Sequence, residues 1–162
     1  MSTSMITTGT VATNRKAGFH YTVLETFEAG IILTGGEVKS LRAGRANISE
    51  SYAARQQGRL HLINAHILEW NGTKGGFVQH IAGRPRELLL HKKELRKILA
   101  GLEKKGMTVV PLEIYFNARG IDKVKIALAQ GKTLADKRER TKKSDWKRDK
   151  RRSLVHYNNG KR

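Results

Sequence analysis

The run FEAGIILTGGEVKSLRAGRANIS, Phe27 to Ser49, decides how the rest of the chain is read. Ala29, Ile31 and Leu33 alternate with Gly30, Ile32 and Thr34, the period-two pattern of a strand. Gly35-Gly36 follows, and paired glycines predict a corner at positive φ, where only glycine is comfortable. From Glu37 to Ala43 the spacing predicts one or two turns of helix, because Val38 and Leu41 stand three apart on one face. Gly44 is placed to end that helix as its C′ residue. Lys39, Arg42 and Arg45 are then left facing water. Strand end, glycine corner and short basic helix make a rigid shoulder that carries cations.

Outward from that shoulder, charge is the strongest signal. The 162 residues hold 32 Lys and Arg against 14 Asp and Glu, a formal net charge of +18. Such an excess costs stability through self-repulsion and selects a polyanionic partner. Nucleic acid is the first candidate and an acidic membrane surface the second. The second would need a basic amphipathic helix with a strong apolar face, and the sequence has none. No apolar run approaches the length of a bilayer span. The leader MSTSMITTGTVATN has neither the charged nor the apolar region of a secretion signal, so residues 1–13 read as a disordered polar lead. With no cysteine, disulfides and thiolate metal sites are excluded, which suits a cytoplasmic protein. Residues 1–130 carry 19 basic and 10 acidic side chains, and 131–162 carry 13 and 4. A fifth of the chain thus holds half the net charge. The expected organisation is a single domain over 14–130 and a separate basic tail from Gly131.

Residues 19–27 alternate as a first strand, pairing with the one that follows Glu28-Ala29-Gly30. Ser51–Arg55 and Arg59–Leu68 predict a hairpin across Gln57-Gly58, with a bulge or bend near Asn64 where the apolar phase changes. Asn71–Gly76 is a loop by composition, and Phe77–Ile81 a short strand. Leu95, Ile98, Leu99 and Leu102 lie on one stripe of a helix closed by Gly106, with Lys104 and Lys105 at its negative end. Val110, Leu112, Ile114 and Phe116 form the inner side of the next strand, where Pro111 demands an edge or a bulge. In the last strand Val124, Ile126 and Leu128 point inward while Lys123 and Lys125 point out. The sum is a mainly β chain: a small antiparallel barrel with two to three helices, its outward cations suited to oligonucleotide binding.

From Lys132 to Arg152 apolar residues are few, chiefly Leu134 and Trp146, so the tail cannot bury enough surface to order itself. It is still helix-competent, with Asp136–Arg140 and Glu139–Lys143 as i,i+4 pairs. The reading is a segment disordered alone and helical against RNA. The plainer alternative is a solvated extension. Catalytic constellations are missing. The six histidines are scattered, and His61 and His66, five apart, face opposite ways on a strand. Gly72, Gly75 and Gly76 lack the Gly-Lys-Ser/Thr ending of a phosphate-binding loop. Glu25, Glu28 and Glu37 read as salt-bridge partners rather than paired acids. No cofactor and no metal is expected, and the chain does not read as an enzyme.

Four segments together resemble the SmpB family, the small bacterial proteins that bind transfer-messenger RNA. They are the Phe27–Ser49 run, RPRELLLHKKELRKI at 84–98, TVVPLEIYFNARGIDKVKIALAQGK at 108–132 and DKRERTKKSDWKRDKRR at 136–152, in family order. The resemblance implies an oligonucleotide-binding (OB) barrel that holds the tRNA-like domain of transfer-messenger RNA. It also implies delivery of the alanyl form, with elongation factor Tu, to ribosomes stalled without a stop codon. The protein would act as a monomer, one per RNA, in the cytoplasm. The implied RNA-facing residues are Asn14, Lys16, Tyr21, Glu28, Lys39, Arg42, Arg45, Leu89, His91, Lys123, Lys125, Gly131 and Lys132. The tail would enter the decoding centre against small-subunit ribosomal RNA and the empty message channel. There Asp136, Lys137, Arg138, Trp146, Lys147, Lys150 and Arg151 would act. Phe19, Ile81, Ala82, Glu87 and Thr133 depart from the family pattern. The competing class is a basic ribosomal or other structural RNA-binding protein, which would stay with the ribosome through a high-salt wash.

Overall fold

In a computed structural model, residues 4–70 and 80–159 are described. The elements run β1 (Gly9–Thr13), α1 (Ala17–His20), β2 (Tyr21–Ile31), α2 (Gly35–Arg42), β3 (Ala46–Asn47), β4 (Tyr52–Gln56), β5 (Arg59–Ile63), β6 (His66–Ile67), β7 (Arg86–Leu89), α3 (Lys92–Leu102), β8 (Met107–Phe116), β9 (Asp122–Gly131) and α4 (Leu134–Asn159). The fold is mixed α/β rather than mainly β, because α4 alone adds 26 helical residues. The chain divides into two units, 1–131 and 132–162.

The first unit is built on a seven-stranded antiparallel sheet in the order β1-β8-β4-β5-β7-β2-β9, and β8 also pairs with β9. The hydrogen-bonded order from β8 through β4 to β9 therefore returns to its start. Phe27, Ala29 and Ile31 of β2, Leu60 and Leu62 of β5, and Val124, Ile126 and Leu128 of β9 meet in the main core with Leu41 and Ile98. α3 closes on this core through Ile98 and Gly101. A side chain at Gly101 would meet Leu128 Cδ2 at 2.5 Å, so only glycine lets the helix approach this closely. A smaller cluster joins Ala17 of α1 to Val110, Ala127 and Ala129 on the other side of β8 and β9.

Several sequence expectations stand. Gly44 follows the last residues of α2 at φ +72°. Gln57 and Gly58 turn the β4–β5 hairpin with φ of 50° and 74°, and Asn64, at φ 60°, breaks β5 from β6. Others are corrected. Gly35 and Gly36 make no positive-φ corner; they are the first turn of α2, capped by Thr34, whose side chain accepts from Glu37 N–H at 3.4 Å. Residues 19–27 are not a separate strand: after α1, a single β2 runs to Ile31 and pairs with β9 and β7. Part of the expected N-terminal lead is ordered. β1 pairs with β8, and the Ile6 N–H donates to the Arg42 carbonyl at 2.7 Å, satisfying an open end of α2. α3 ends at Leu102, so its last turn holds no cation and Gly106 lies beyond it. The strand expected at 77–81 falls largely outside the described residues.

Pro111 shows why β8 defeats a single-phase reading. Val109 lies in the main core and Val110 in the smaller one, whereas Ile114 and Phe116 return to the main core. The register against β9 shifts between Pro111 and Glu113, so one extra residue swaps the faces. On its other edge β8 pairs with β4 at Val109 and with β1 from Glu113 onward. The proline, lacking an N–H, stands where that neighbour changes.

Between the sheet and α2 lies an ion-pair network in which Glu37 and Arg86 are fully buried and Arg84 partly so. The Glu37 carboxylate accepts from Arg86 Nε at 2.9 Å, Arg84 Nε at 2.8 Å, Arg84 Nη2 at 2.6 Å and the Thr34 N–H at 2.7 Å. Arg86, with no exposed surface, also donates to the carbonyls of Ala65, Arg84 and Ala82 at 2.7, 3.0 and 2.9 Å. Burial alone would raise the Glu37 pKa. The bonds from Arg84, Thr34 and Arg86 outweigh it and bring the value down to about 2.

A carboxylate depressed in the fold stabilises it above the unfolded pKa, and that stability disappears as pH falls through the folded value. Glu37→Gln is expected to cost about 3 kcal/mol in urea unfolding at pH 7, as breaking one partner of a buried pair does. The gap from the unsubstituted protein should narrow as pH drops from about 4.5 toward 2. A pH-independent difference would refute the ionised-pair assignment.

Candidate nucleic-acid interface

β2, β7 and β9 and the entrance to α3 bring four of the sequence-predicted residues to one cleft of about 540 Å³. Glu28, Leu89, His91 and Lys123 line it, together with Gly30, Leu90, Ile121 and Asp122. The antiparallel registers account for this convergence. Gly30 lies opposite both Leu89 and Lys123, and Glu28 opposite Lys125. A Cβ on Gly30 would stand 3.3 Å from that of Leu89, so the small residue makes room for the leucine. Leu89 and Ile121 are about half exposed, an apolar floor at the mouth of a polar cleft.

Polar side chains fix the cleft's other wall. Lys123 Nζ is 3.6 Å from Glu28 Oε1, and Lys125 Nζ is 3.8 Å from Glu113 Oε1. The Tyr115 hydroxyl donates to Glu28 Oε2. Burial, the bond to Glu28 and the negative field of Glu28 and Glu113 push the Tyr115 phenol up to about 12. His91 precedes α3, and its backbone N–H donates to Glu94 Oε2 at 3.3 Å. The wall thus offers an acceptor, Glu28, and a cation, Lys123, above apolar surface. That combination matches a nucleotide with a sugar hydroxyl or base edge on one side and a phosphate on the other.

The remaining predicted residues lie elsewhere. Asn14 is buried, and its Oδ1 accepts from the N–H of Ala17, the first residue of α1, at 3.1 Å. Lys16 pairs with Glu50 at 2.7 Å, and the bond holds the Glu50 carboxyl below its usual range. Tyr21 stands opposite Gly131, joining the start of β2 to the end of β9. On α2, Lys39 is exposed, but Arg42 does not simply face water as the sequence suggested. Its guanidinium lies over the Phe116 ring at 5.5 Å, and its Nε is buried without a hydrogen-bond partner among the described residues. Arg45 covers Trp70 at 5.9 Å. Stacking of this kind orients a guanidinium and leaves its charge uncancelled.

In the second unit the segment expected to be disordered alone is a continuous helix, α4, beginning after Lys132 and Thr133. Asp136 has a local structural role: its Oδ2 accepts from the Thr133 hydroxyl and N–H at 2.7 and 3.2 Å, and these bonds hold its carboxyl low. The expected Asp136–Arg140 and Glu139–Lys143 pairs are not formed; among the described residues α4's ion pair is Asp145–Arg148 at 3.7 Å. Lys137 and Arg138 fall in its first turns. Lys147 and Arg151 share a groove with Ser144 and Arg148, and Lys150 lies over the exposed Trp146 ring at 5.1 Å. Among the described residues no group of acids and histidines could hold a metal, and no helix is long and apolar enough to cross a membrane.

A family model described as SmpB protein matches residues 11–156. The chain belongs to the SmpB family. A protein of Rhodospirillum rubrum named SsrA-binding protein is 49% identical over 151 residues, covering 93% of this chain and 94% of that one. Another of that name, from Beijerinckia indica, is 54% identical over 144 residues, covering 88% and 90%. A solved chain described as "tmRNA-SmpB: a journey to the center of the bacterial ribosome" is 49% identical, with a TM-score of 0.61 over 75% of this chain and 84% of its own. The SmpB match takes in both units, from within β1 to within α4.

Sequence reasoning missed Ile121, Asp122 and Glu94 as parts of the cleft, and Tyr115 as the partner of Glu28. The outward phase of Tyr115 next to Lys123 was a usable signal. Ile121 and Asp122 reach the cleft only through the β8–β9 turn and had none. Glu28→Gln should lower the highest-titrating tyrosine from about 12 toward 10 in an ultraviolet absorbance titration, without reaching it because burial persists. A titration unaltered by the substitution would mean that the two side chains do not meet.

Proposed function

We propose that this chain binds transfer-messenger RNA and takes part in rescuing stalled ribosomes by trans-translation, as a non-catalytic factor. The observation that carries this reading is the convergence of Glu28, Leu89, His91 and Lys123 on one cleft in a chain of net charge +18 that belongs to the SmpB family. The circular strand pairing supports an OB-type barrel over 14–130 as the RNA-binding body. In the cleft a splayed nucleotide rests on Leu89 and Ile121, Glu28 accepts from a ribose hydroxyl or base edge, and Lys123 meets the adjoining phosphate. Arg42, pinned by Phe116, presents its terminal nitrogens to a second stretch of backbone, with Lys39 and Arg45 beside it.

The tail, residues 131–162, serves the ribosome. Its helix enters the decoding centre and the vacant message channel, where small-subunit ribosomal RNA neutralises Lys137, Arg138, Lys147, Lys150 and Arg151, and Trp146 stacks on a base or fills an apolar notch. Elongation factor Tu joins through the alanyl form of the RNA. One protein serves one RNA, in the cytoplasm.

Leu89→Asp puts a carboxylate where the RNA backbone comes near and should lower affinity for a transcript of the tRNA-like domain more than about tenfold. Arg42→Ala should lower it too and reduce the salt dependence by about one phosphate contact. Truncation after Lys132 should keep most of the binding and abolish peptide tagging on stalled ribosomes. Undiminished binding by Leu89→Asp would count against the cleft, and intact tagging by the truncated chain against the division of labour.

A further inference from the structure

α3 carries cations where its own stability argues against them. Lys92 and Lys93 are its first two residues and Arg96 lies one turn on, all exposed and pointing away from the Ile98 and Gly101 side. At the N-terminal end of a helix the dipole is positive, so cations there destabilise it. Other basic side chains of the body are matched with acids, among them Lys16, Arg59, Lys97 and Lys123, which each face a carboxylate. Among the described residues, Lys92, Lys93 and Arg96 form no ion pair. The acid of the same turn, Glu94, is engaged with the His91 N–H. Three adjacent cations that cost the helix stability and neutralise nothing inside the protein are placed for an anion outside it.

We propose that this outer face of α3 is a second RNA contact, a short rail for the phosphate backbone of the same RNA that occupies the cleft. The inference rests on the reading of the cleft given above. Continuity selects the occupant, because His91 and Glu94 line the cleft and flank Lys92 and Lys93 in sequence. RNA that leaves the cleft past His91 reaches the start of α3, where Lys92 and Lys93 are its first residues. The rise from Lys92 to Arg96 is about 6 Å, enough for about two consecutive phosphates of one strand. Such contacts position the RNA without reading its sequence. The family resemblance, carried residue by residue, assigned none of these three positions.

The test compares two variants of equal charge, Lys92→Gln with Lys93→Gln, and Lys104→Gln with Lys105→Gln, in the full-length protein. Binding of a tRNA-like domain transcript is measured across salt concentrations. The Lys92/Lys93 variant should lose affinity about tenfold at physiological salt, with its log–log salt slope reduced by about 1.5. Its melting temperature should hold or rise, because the opposed charges are gone from the positive end of the helix. The Lys104/Lys105 variant should keep the original slope. Equal losses in both variants would mean that net charge alone is felt and would overturn the rail. So would an unaltered slope in the Lys92/Lys93 variant, or a loss confined to binding of vacant small ribosomal subunits. If Leu89→Asp abolishes binding while Lys92/Lys93 substitution does nothing, the rail falls and the cleft stands. Failure of the unsubstituted protein to bind the transcript removes both.

Discussion

Glu37 is a carboxylate without exposed surface, and the four donors that keep it ionised come from three parts of the chain. Thr34 belongs to the start of α2, Arg84 to the approach to β7 and Arg86 to β7 itself. Arg86 extends the tie through the Ala65 and Ala82 carbonyls to the segment before β6 and the loop before β7. Each of these charges would be expensive alone, and the network holds because every polar atom facing the interior finds a partner. A hydrophobic contact of the same area would let α2 slide or rotate by a fraction of a turn. Directional bonds from a planar guanidinium do not permit that. The orientation of α2, and so the direction in which Lys39 and Arg42 project, is set by this one buried carboxylate.

The same economy of acids shapes the surface. With 14 carboxylates for 32 basic side chains, each acid placed on a cation decides which cations remain available. Glu25 takes Lys97, Glu50 takes Lys16 and Glu87 takes Arg59. Glu28 is shared between Lys123 and Tyr115, which keeps the cleft wall ordered while leaving an acceptor toward the opening. Arg42 and Arg45 are oriented by aromatic rings instead, which fix a guanidinium without cancelling its charge. Carboxylates thus orient some of the cations and aromatic rings orient others.

Features with a local cause were legible in the sequence. The α2 stop at Gly44 needs only a left-handed residue after the last turn, the β4–β5 hairpin needs only Gln57-Gly58, and the α3 stripe repeats at helical spacing. Features that depend on a distant partner were not. The bulges in β2 after Val23 and in β8 after Pro111 each exchange inner and outer faces, so reading one apolar phase through β8 mislaid Val110 and Leu112. Gly35-Gly36 looked like a corner because glycine tolerates one, yet Thr34 and Glu37 form a capping box that makes the pair the opening of a helix. β1 reads as part of a loose lead in the sequence because its strand is short and pairs only with the distant β8. At the cleft, Glu28, Leu89, His91 and Lys123 came from the resemblance rather than from spacing. The register of β2 between β7 and β9 is what brings them together.

α4 poses the converse problem, because it is helical with little to pack. Its cations repel at close spacing, the Asp145–Arg148 pair among the described residues offsets a small part of that, and the Thr133–Asp136 cap secures only the first turn. Residues 134–152 are nevertheless free of Gly and Pro and rich in Lys, Arg, Asp and Glu, several of them good helix formers. A helix balanced this way is tuned by its surroundings. A phosphate brought near such a helix removes repulsion and adds a charge-assisted bond, which couples helix stability to binding. An apolar face would have stabilised the helix in water, but it would also have fixed the tail to whatever surface covered that face.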